Sequence, residues 1–501
     1  MRVLLVYPAY PNTFWSFRYA LRLVNKRASH PPLGLLTVAS LLPTDWKLRL
    51  VDLNVEPLMD NDLKWADLIL ISAMSVQRES AEEVIKRSRV YKKKIVAGGP
   101  LFTAFWQDFE GSVDHLILGE AEVNFPQFLA DWEEGKPKSI YQTKDFADLT
   151  KSPAPAYHLI NLSHYSSMCI QYSRGCPFNC EFCDVTNLFG HRVRTKSVDQ
   201  ILTELENLFK LGWRGSLFFV DDNFIGGKRK VKEEVLPAIV KWQEEHHYPF
   251  YFYTQVSVNL ADDKELIDLM VKAGFTAVFI GIETPSEQGL AEANKGQNRN
   301  RNLVEDIRKI QRTGLEVMGG FILGFDSDPP DIFEKLISFI KESRIVIAMV
   351  GLLNAPPGTK LYQKLLFENR IKPFFKGDNT DMSTNIIPKI GYTELIEGYK
   401  RVIKSLYNRK SYYERIGSFL EDFTWKSPFK PDKHYLKVNY GNLLGLFKIL
   451  FRFGLLEGNR LDFWNLILKT LRKKPQNFSV ILAQVASGYH FRSIFKEAFS
   501  D

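Results

Sequence analysis

The chain has 501 residues, 45% of them hydrophobic and 25% charged, with a net charge of +8 and four cysteines. That length exceeds one core and gives three domains as a first expectation, with ample apolar material for each. So few cysteines exclude a disulfide framework and indicate a reducing, oxygen-poor cytoplasm; no lysine or arginine block calls for nucleic acid, and no window holds the roughly 18 uncharged apolar residues of a spanning helix.

The opening MRVLLVYPAYP is too short in its apolar run for a signal peptide and reads as a buried strand. Between residues 1 and 145 the runs Val3–Val6, Leu48–Asp52, Leu68–Ser72, Lys94–Gly98 and His115–Gly119 alternate with helical stretches such as Ser80–Tyr91 and Asn124–Glu133. The alternation predicts an α/β fold with a doubly wound, Rossmann-like parallel sheet, whose ligands bind outside the carboxyl ends of the strands. Those ends carry small residues. Pro31-Pro32-Leu33-Gly34-Leu35 opens the first long helix, and Ser72-Ala73-Met74-Ser75 follows the third strand. Gly98-Gly99-Pro100 follows the fourth and Gly119-Glu120-Ala121-Glu122 the fifth. Glycines there admit a bulky ligand close to the backbone. No G-x-G-x-x-G occurs, so a dinucleotide is unsupported.

Residues 146–164, with Lys151-Ser152-Pro153-Ala154-Pro155-Ala156, read as a linker. Strand-helix units then repeat over residues 165–365. The strands are Cys169–Ser173, Leu217–Asp221, Phe250–Thr254, Ala277–Gly281, Val317–Ile322 and Ile345–Leu352, with helices such as Ser197–Leu211 and Asp262–Ala273 between them. Six units predict a partial, TIM-like (β/α)6 barrel that works at the C-terminal ends of its strands. Polar residues able to hold an amino-acid head group and a ribose follow those ends: Asp221-Asp222-Asn223, then Gln255, Ser257 and Asn259, then Glu283, then Gly324-Phe325-Asp326.

After the first of these strands comes Cys176-Pro177-Phe178-Asn179-Cys180-Glu181-Phe182-Cys183. Three thiolates so spaced leave one corner of a four-iron cluster without a protein ligand. A structural zinc site wants four ligands, and no second Cys-x-x-Cys pair exists. Three unrelated buried thiols are the plain alternative. Cys169 reads as an inert buried thiol, or remotely as a fourth ligand. His191 and Arg192–Arg194 read either as substrate-facing or as a solvated loop.

Over residues 366–501 strand alternation stops. Tyr392–Tyr407, Asn442–Arg452, Asp462–Lys473 and Val480–Gln484 predict a helical domain capping the barrel mouth. The stretch Leu443–Arg452, apolar with scattered bases, reads either as a core helix of that cap or as one resting on a membrane surface.

SRGCPFNCEFCD, residues 173–184, resembles the cysteine motif of the radical S-adenosylmethionine superfamily. PPLGL, SAMS, AGGP and GEAE resemble the landmarks of the cobalamin-binding domain that precedes the radical domain in one large branch. The resemblance implies three cofactors. A [4Fe-4S] cluster would sit on Cys176, Cys180 and Cys183. S-adenosylmethionine would occupy its open iron, with Phe182 near the adenine and Asp222 on the amino group. Gln255 and Glu283 would meet ribose and carboxylate, and a turn from Gly320 to Gly324 would cradle the adenine. Cobalamin would lie against Ser72, Met74, Ser75, Gly98, Gly99, Gly119 and Glu120. The Asp-x-His-x-x-Gly of many cobalamin proteins is missing, and the neighbours of His30 do not match it. The loop Met74–Arg78 is therefore expected to cover the lower face of cobalt. A flavodoxin-like domain without cofactor is the alternative.

The C-terminal extension resembles that of a subgroup with hopanoid C-2 methylases and bacteriochlorophyll side-chain methylases. This implies C-methylation of an unactivated carbon by way of a 5′-deoxyadenosyl radical, on a large apolar substrate such as a polycyclic lipid or tetrapyrrole. It further implies an electron donor such as flavodoxin or ferredoxin and a cytoplasmic or membrane-surface location; it assigns no catalytic side chain and no oligomeric state. A radical rearrangement or cyclisation without methyl transfer, and a non-enzymatic redox sensor, are the other classes kept open.

Overall fold

Apolar runs, rich in Val, Leu and Ile in the first and in Phe and Tyr in part of the second, build two parallel sheets. The structure is a computed structural model that describes residues 1–372, 376–378, 380–429, 435, 440–458 and 460–499. The first sheet holds β1 (Arg2–Tyr7), β2 (Lys47–Asp52), β3 (Leu68–Ser72), β4 (Lys94–Gly98), β5 (His115–Ile117) and β6 (Ile140–Tyr141), in the order β2-β1-β3-β4-β5-β6. All neighbours pair in parallel. Val3, Leu4, Leu5 and Val6 are all fully buried, because helices cover both faces of a doubly wound sheet. The fifth strand stops at Ile117, before the expected Gly119, whose φ of +77° turns the chain away. The helix opened by the Pro31–Leu35 stretch is short, Leu33–Ala39, and the two-residue β6 has too little apolar sequence to announce itself.

The second sheet holds β7 (Met168–Ile170), β8 (Gly215–Phe219), β9 (Phe250–Gln255), β10 (Phe275–Glu283), β11 (Glu316–Leu323) and β12 (Ala348–Leu352). They pair in parallel in unbroken chain order, as strands of a partial barrel do. Among the described residues β7 and β12 are not paired with each other. Leu217, Phe219, Phe252, Val278 and Ile280 are completely buried against the outer helices. Phe218, Tyr253, Phe279 and Met318, which alternate with such residues, keep partial exposure although they lie in central strands. They face the concave side of the partial barrel, the lumen.

The C-terminal helices are Tyr392–Tyr407, Arg409–Asp422, Tyr440–Phe451, Arg460–Lys473 and Phe478–Ala498. Arg409–Asp422 escapes the sequence reading because charged and aromatic residues blur its period. Val480–Gln484 proves to be part of a 21-residue helix. The expected cap over the barrel mouth is corrected in place. Most of these helices meet the opposite end, where strands begin: Tyr407 Oη donates to the Ala348 carbonyl at 2.5 Å, and Gln484 Nε2 to Glu316 Oε1 at 3.0 Å. The start of Tyr392–Tyr407 does reach the mouth, with Leu395 against Gly324.

The N-terminal segment clamps this arrangement. Phe14 is buried and stacks on Phe491 with ring centres 4.1 Å apart and planes 9° from parallel. Phe14→Ala is expected to cost about 3–5 kcal/mol by leaving a cavity between first and last segments. Hydrogen exchange should then accelerate in Phe478–Ala498 and leave β1 unchanged.

Candidate cofactor and active site

The cysteine loop leaves β7 through Gly175, whose φ is +92° and where a Cβ would fall 2.6 Å from the Arg192 carbonyl oxygen. No side chain fits there. A short antiparallel pair, Ser173–Arg174 with Arg194–Thr195, holds the base of the loop. Its tip is tied to the segment after β10: Glu181 N donates to Ala293 O at 3.1 Å, and Asn294 Nδ2 to Asn179 O at 2.9 Å. Cys176, Cys180 and Cys183 are all half-buried. Burial pushes the Cys176 thiol up and the Cys183 thiol to about 12. Among the described residues no three His, Cys, Asp or Glu side chains converge closely enough for one metal ion. Phe182 packs edge-on against Phe325, 6.4 Å between centres.

Two residues absent from the sequence reading border the thiols. Lys295 Nζ lies 2.6 Å from Glu283 Oε1, and its charge acts on Cys180 and Cys183 as well. Gln297 Nε2 lies 3.8 Å from Cys180 Sγ. A lone lysine in a polar loop carries no pattern, so only the fold brings it to notice. Glu283 itself, at the end of β10, is buried with a φ of +69°, a left-handed conformation that a non-glycine residue holds only under constraint. Asn298 supplies that constraint by donating from Nδ2 to the carbonyls of Gly281 and Ile282, both at 3.0 Å.

The neighbouring aspartates after β8 divide their work. Asp221 accepts from Tyr172 N at 3.1 Å and from Ser173 N and Oγ at 2.5 Å, so it shapes the loop. Asp222 Oδ2 is buried without a hydrogen-bond partner, and burial lifts its carboxyl to about 6. A buried unpartnered oxygen beside Cys176 suits a cationic ammonium group. Gln255 closes β9, and its carbonyl accepts from Phe224 N at 2.9 Å. Gly320 departs from expectation. It lies inside β11 and not in a turn, and a Cβ on it would fall 2.7 Å from the Phe279 ring. It makes room in the lumen for that ring. Gly324 does turn the chain, with φ of +106°.

A cavity of about 270 Å³ faces these strand ends from the first sheet. Ser72, Gly98, Gly99, Gly119 and Glu120 line it, together with Gln171 and Arg174 from the segment that follows β7. A Cβ on Gly99, at φ +89°, would fall 2.6 Å from Ser72 Oγ. The glycine wall thus keeps open a slot of a kind that suits a flat or bulky group. Met74 and Ser75 lie outside this cavity, where Met74 Sδ accepts from Tyr10 Oη at 3.4 Å. His30 is turned to the other sheet, hydrogen-bonded through Nε2 to Tyr253 Oη, and burial drops its imidazole to about 4. His191 and Arg192 are exposed; Cys169 is buried in β7 with its thiol pushed up.

Glu120, which lines this cavity, is also ion-paired. Its carboxylate receives Arg174 Nη1 at 2.8 Å and Arg194 Nη1 at 2.8 Å, while Arg174 Nη2 reaches Glu122 at 2.7 Å. All four side chains are largely buried. This quartet joins the cavity of the first sheet to the cysteine loop of the second.

Residues 170–340 match the radical SAM superfamily, residues 21–129 a B12 binding domain, and residues 359–501 a domain of unknown function, DUF4070. An uncharacterized methyltransferase of Synechocystis sp. is 39% identical over 98% of this chain and 91% of its own length. The hopanoid C-2 methylase of Rhodopseudomonas palustris is 32% identical over 94% of this chain and 89% of its own. The chain belongs to the cobalamin-dependent radical S-adenosylmethionine methyltransferases. Its cofactors are accordingly a [4Fe-4S] cluster, S-adenosylmethionine and cobalamin. The solved methyltransferase TsrM of Kitasatospora setae, with cobalamin and [4Fe-4S] cluster bound, shares the fold with a TM-score of 0.58 at 16% identity, over 73% of this chain and 78% of that one.

In this methyltransferase an aromatic lumen lies below the strand ends. Phe218 and Tyr253 stack with centres 4.7 Å apart, His30 closes on Phe218 at 5.3 Å, and Trp15 meets Phe279 edge-on at 5.3 Å. Trp15 and His30 come from the N-terminal segment, so the first domain finishes the wall of the second.

The quartet yields a prediction in acid. Burial works against the Glu122 charge, but Arg174 outweighs it and holds the carboxyl at about 2, below the ordinary 4.5. A depressed carboxyl stabilises the fold above its unfolded value and loses that contribution as pH falls toward the folded one. Stability should therefore drop between about pH 5 and pH 2 by at most roughly 3 kcal/mol. Denaturant titrations across that range should show Glu122→Gln flattening the drop.

Proposed function

We propose that this methyltransferase C-methylates an unactivated carbon of a large apolar substrate, a polycyclic lipid in preference to a tetrapyrrole, held in the aromatic lumen between the cysteine loop and the glycine-walled cavity. The lumen carries the reading. Phe218, Tyr253, Phe279, Met318 and Trp15 offer rings and a thioether but no free charge, which suits hydrocarbon better than a macrocycle bearing carboxylates. The hopanoid relative supports the same class.

In this reading Cys176, Cys180 and Cys183 ligate the cluster. Asp222 accepts the ammonium of S-adenosylmethionine with its unpartnered oxygen. The Glu283–Lys295 pair and Gln255 meet its carboxylate and ribose, with Phe182 and the Gly324 turn beside the adenine. Ser72, Gly98, Gly99, Gly119 and Glu120 give cobalamin its slot, and Met74 and Ser75, outside that cavity, would meet the cofactor only where it extends beyond it. When bound, the cluster with S-adenosylmethionine supplies the radical that removes a hydrogen atom, and cobalamin supplies the methyl group. The chain's own share is position and dryness: Trp15, His30 and the stacked rings hold a carbon between the two faces and keep water away. A flavodoxin- or ferredoxin-type donor provides electrons, and the enzyme works in the cytoplasm at a membrane surface.

Two measurements test this. Cys180→Ala should reduce S-adenosylmethionine cleavage to background in anaerobically reconstituted protein. Wild type given a polycyclic triterpene and methyl-labelled S-adenosylmethionine should return labelled, methylated product; 5′-deoxyadenosine with an unmethylated rearranged product would rule out methyl transfer. Phe279→Ala should raise the KM for that substrate roughly tenfold, the value of one lost ring contact, and leave cleavage of S-adenosylmethionine intact.

A further inference from the structure

The helix Tyr440–Phe451, continued by the π-helical segment Arg452–Leu456, and the helix Arg460–Lys473 are apolar on two sides. The inner side packs: Ile449, Phe453, Phe463 and Ile467 are buried, and Gly445 sits so close that a Cβ would fall 2.7 Å from Val24. The outer side is bare. Leu444, Phe447, Phe451 and Leu455 recur at helical spacing and form one stripe, with Phe447 64% exposed, Phe451 56% and Leu455 58%. Leu456 at 68% and Leu461 at 74% continue it onto the second helix. A helix of a globular protein normally turns charge to solvent on its outer face. Contiguous exposed rings and leucines mark a surface that another apolar body covers.

Charge identifies the occupant. Arg460, Lys469, Arg472 and Lys473 are exposed on the second helix, with Asp462 the one acidic residue of that helix. Two copies of this chain meeting through the face would bring these cations together, and the whole chain already carries +8. Anionic lipid headgroups attract them, and the stripe reaches into the acyl boundary below. No helix among the described residues is long and apolar enough to cross a membrane, so the contact is interfacial.

We propose that this face docks the enzyme on an anionic lipid bilayer, with Phe447, Phe451 and Leu455 as the inserted residues. The docking face is linked to the lumen. Beneath Gly445 lie Leu23 and Val24, at the end of the segment whose start places Trp15 against Phe279. A substrate drawn from the bilayer therefore enters beside the segment that walls the lumen. That purpose rests on the apolar-substrate reading; the docking itself does not.

Full-length protein loaded with cluster and cobalamin would be floated with phosphatidylcholine vesicles, with and without one-third phosphatidylglycerol. Wild type should float with the anionic vesicles and sink increasingly as salt shortens the Debye length from about 10 Å at 0.1 M toward 3 Å at 1 M. Combining Phe447→Glu with Phe451→Glu should cut partitioning at least tenfold and leave 5′-deoxyadenosine formation unchanged. Wild type that sinks with both vesicle types overturns the proposal without any variant. So does unchanged flotation of the substituted protein, or a dimer in sedimentation that the substitutions dissociate, which would make a second copy the occupant. Loss of S-adenosylmethionine cleavage in wild type that still floats would instead count against the function proposed above.

Discussion

Two carboxylates at the start of the helix after β5 and two guanidinium groups of the antiparallel pair at the base of the cysteine loop are buried against each other between the two sheets, and the rest of the site depends on that contact. A buried ion pair is weak evidence for stability, since desolvation consumes most of its attraction. Its consequence is orientation. Sliding either sheet leaves a charge in low dielectric without its partner, which costs several kcal/mol. Glu120 and Glu122 begin the helix that follows β5, and Arg174 stands two residues before Cys176. The glycine-walled cavity and the thiols are thereby set facing one another.

The same economy appears in the lumen. A partial barrel leaves its concave face open, and the N-terminal segment fills part of it with Trp15 and His30. The last helix holds that segment from behind through Phe14 and Phe491. Chain ends far apart in sequence thus close one wall together.

Much of this was legible in the sequence because buried parallel strands are nearly continuous runs of Val, Ile and Leu, as in Leu68–Ser72 and Lys94–Gly98. The cysteine spacing was legible because cluster ligation demands a fixed local geometry. What stayed hidden depends on contacts distant in the chain. Lys295 comes to notice only through its ion pair with Glu283, and the pairing of Glu120 with Arg174 and Arg194 joins residues far apart in the chain. Gly320 resembled a turn glycine because the need for room opposite Phe279 leaves no local trace. The helix Arg409–Asp422 was missed because Tyr412, Tyr413 and Arg415 are buried together, which breaks the usual apolar stripe.

Cys169 has a practical side. It is the single cysteine outside the loop, and it is enclosed in β7 with its carbonyl held by Tyr157 at 2.6 Å. The other three thiols are partly accessible. A gentle alkylating reagent applied to the folded protein therefore counts the loop alone, and the number of labels it leaves reads directly how many of those sulfurs are free.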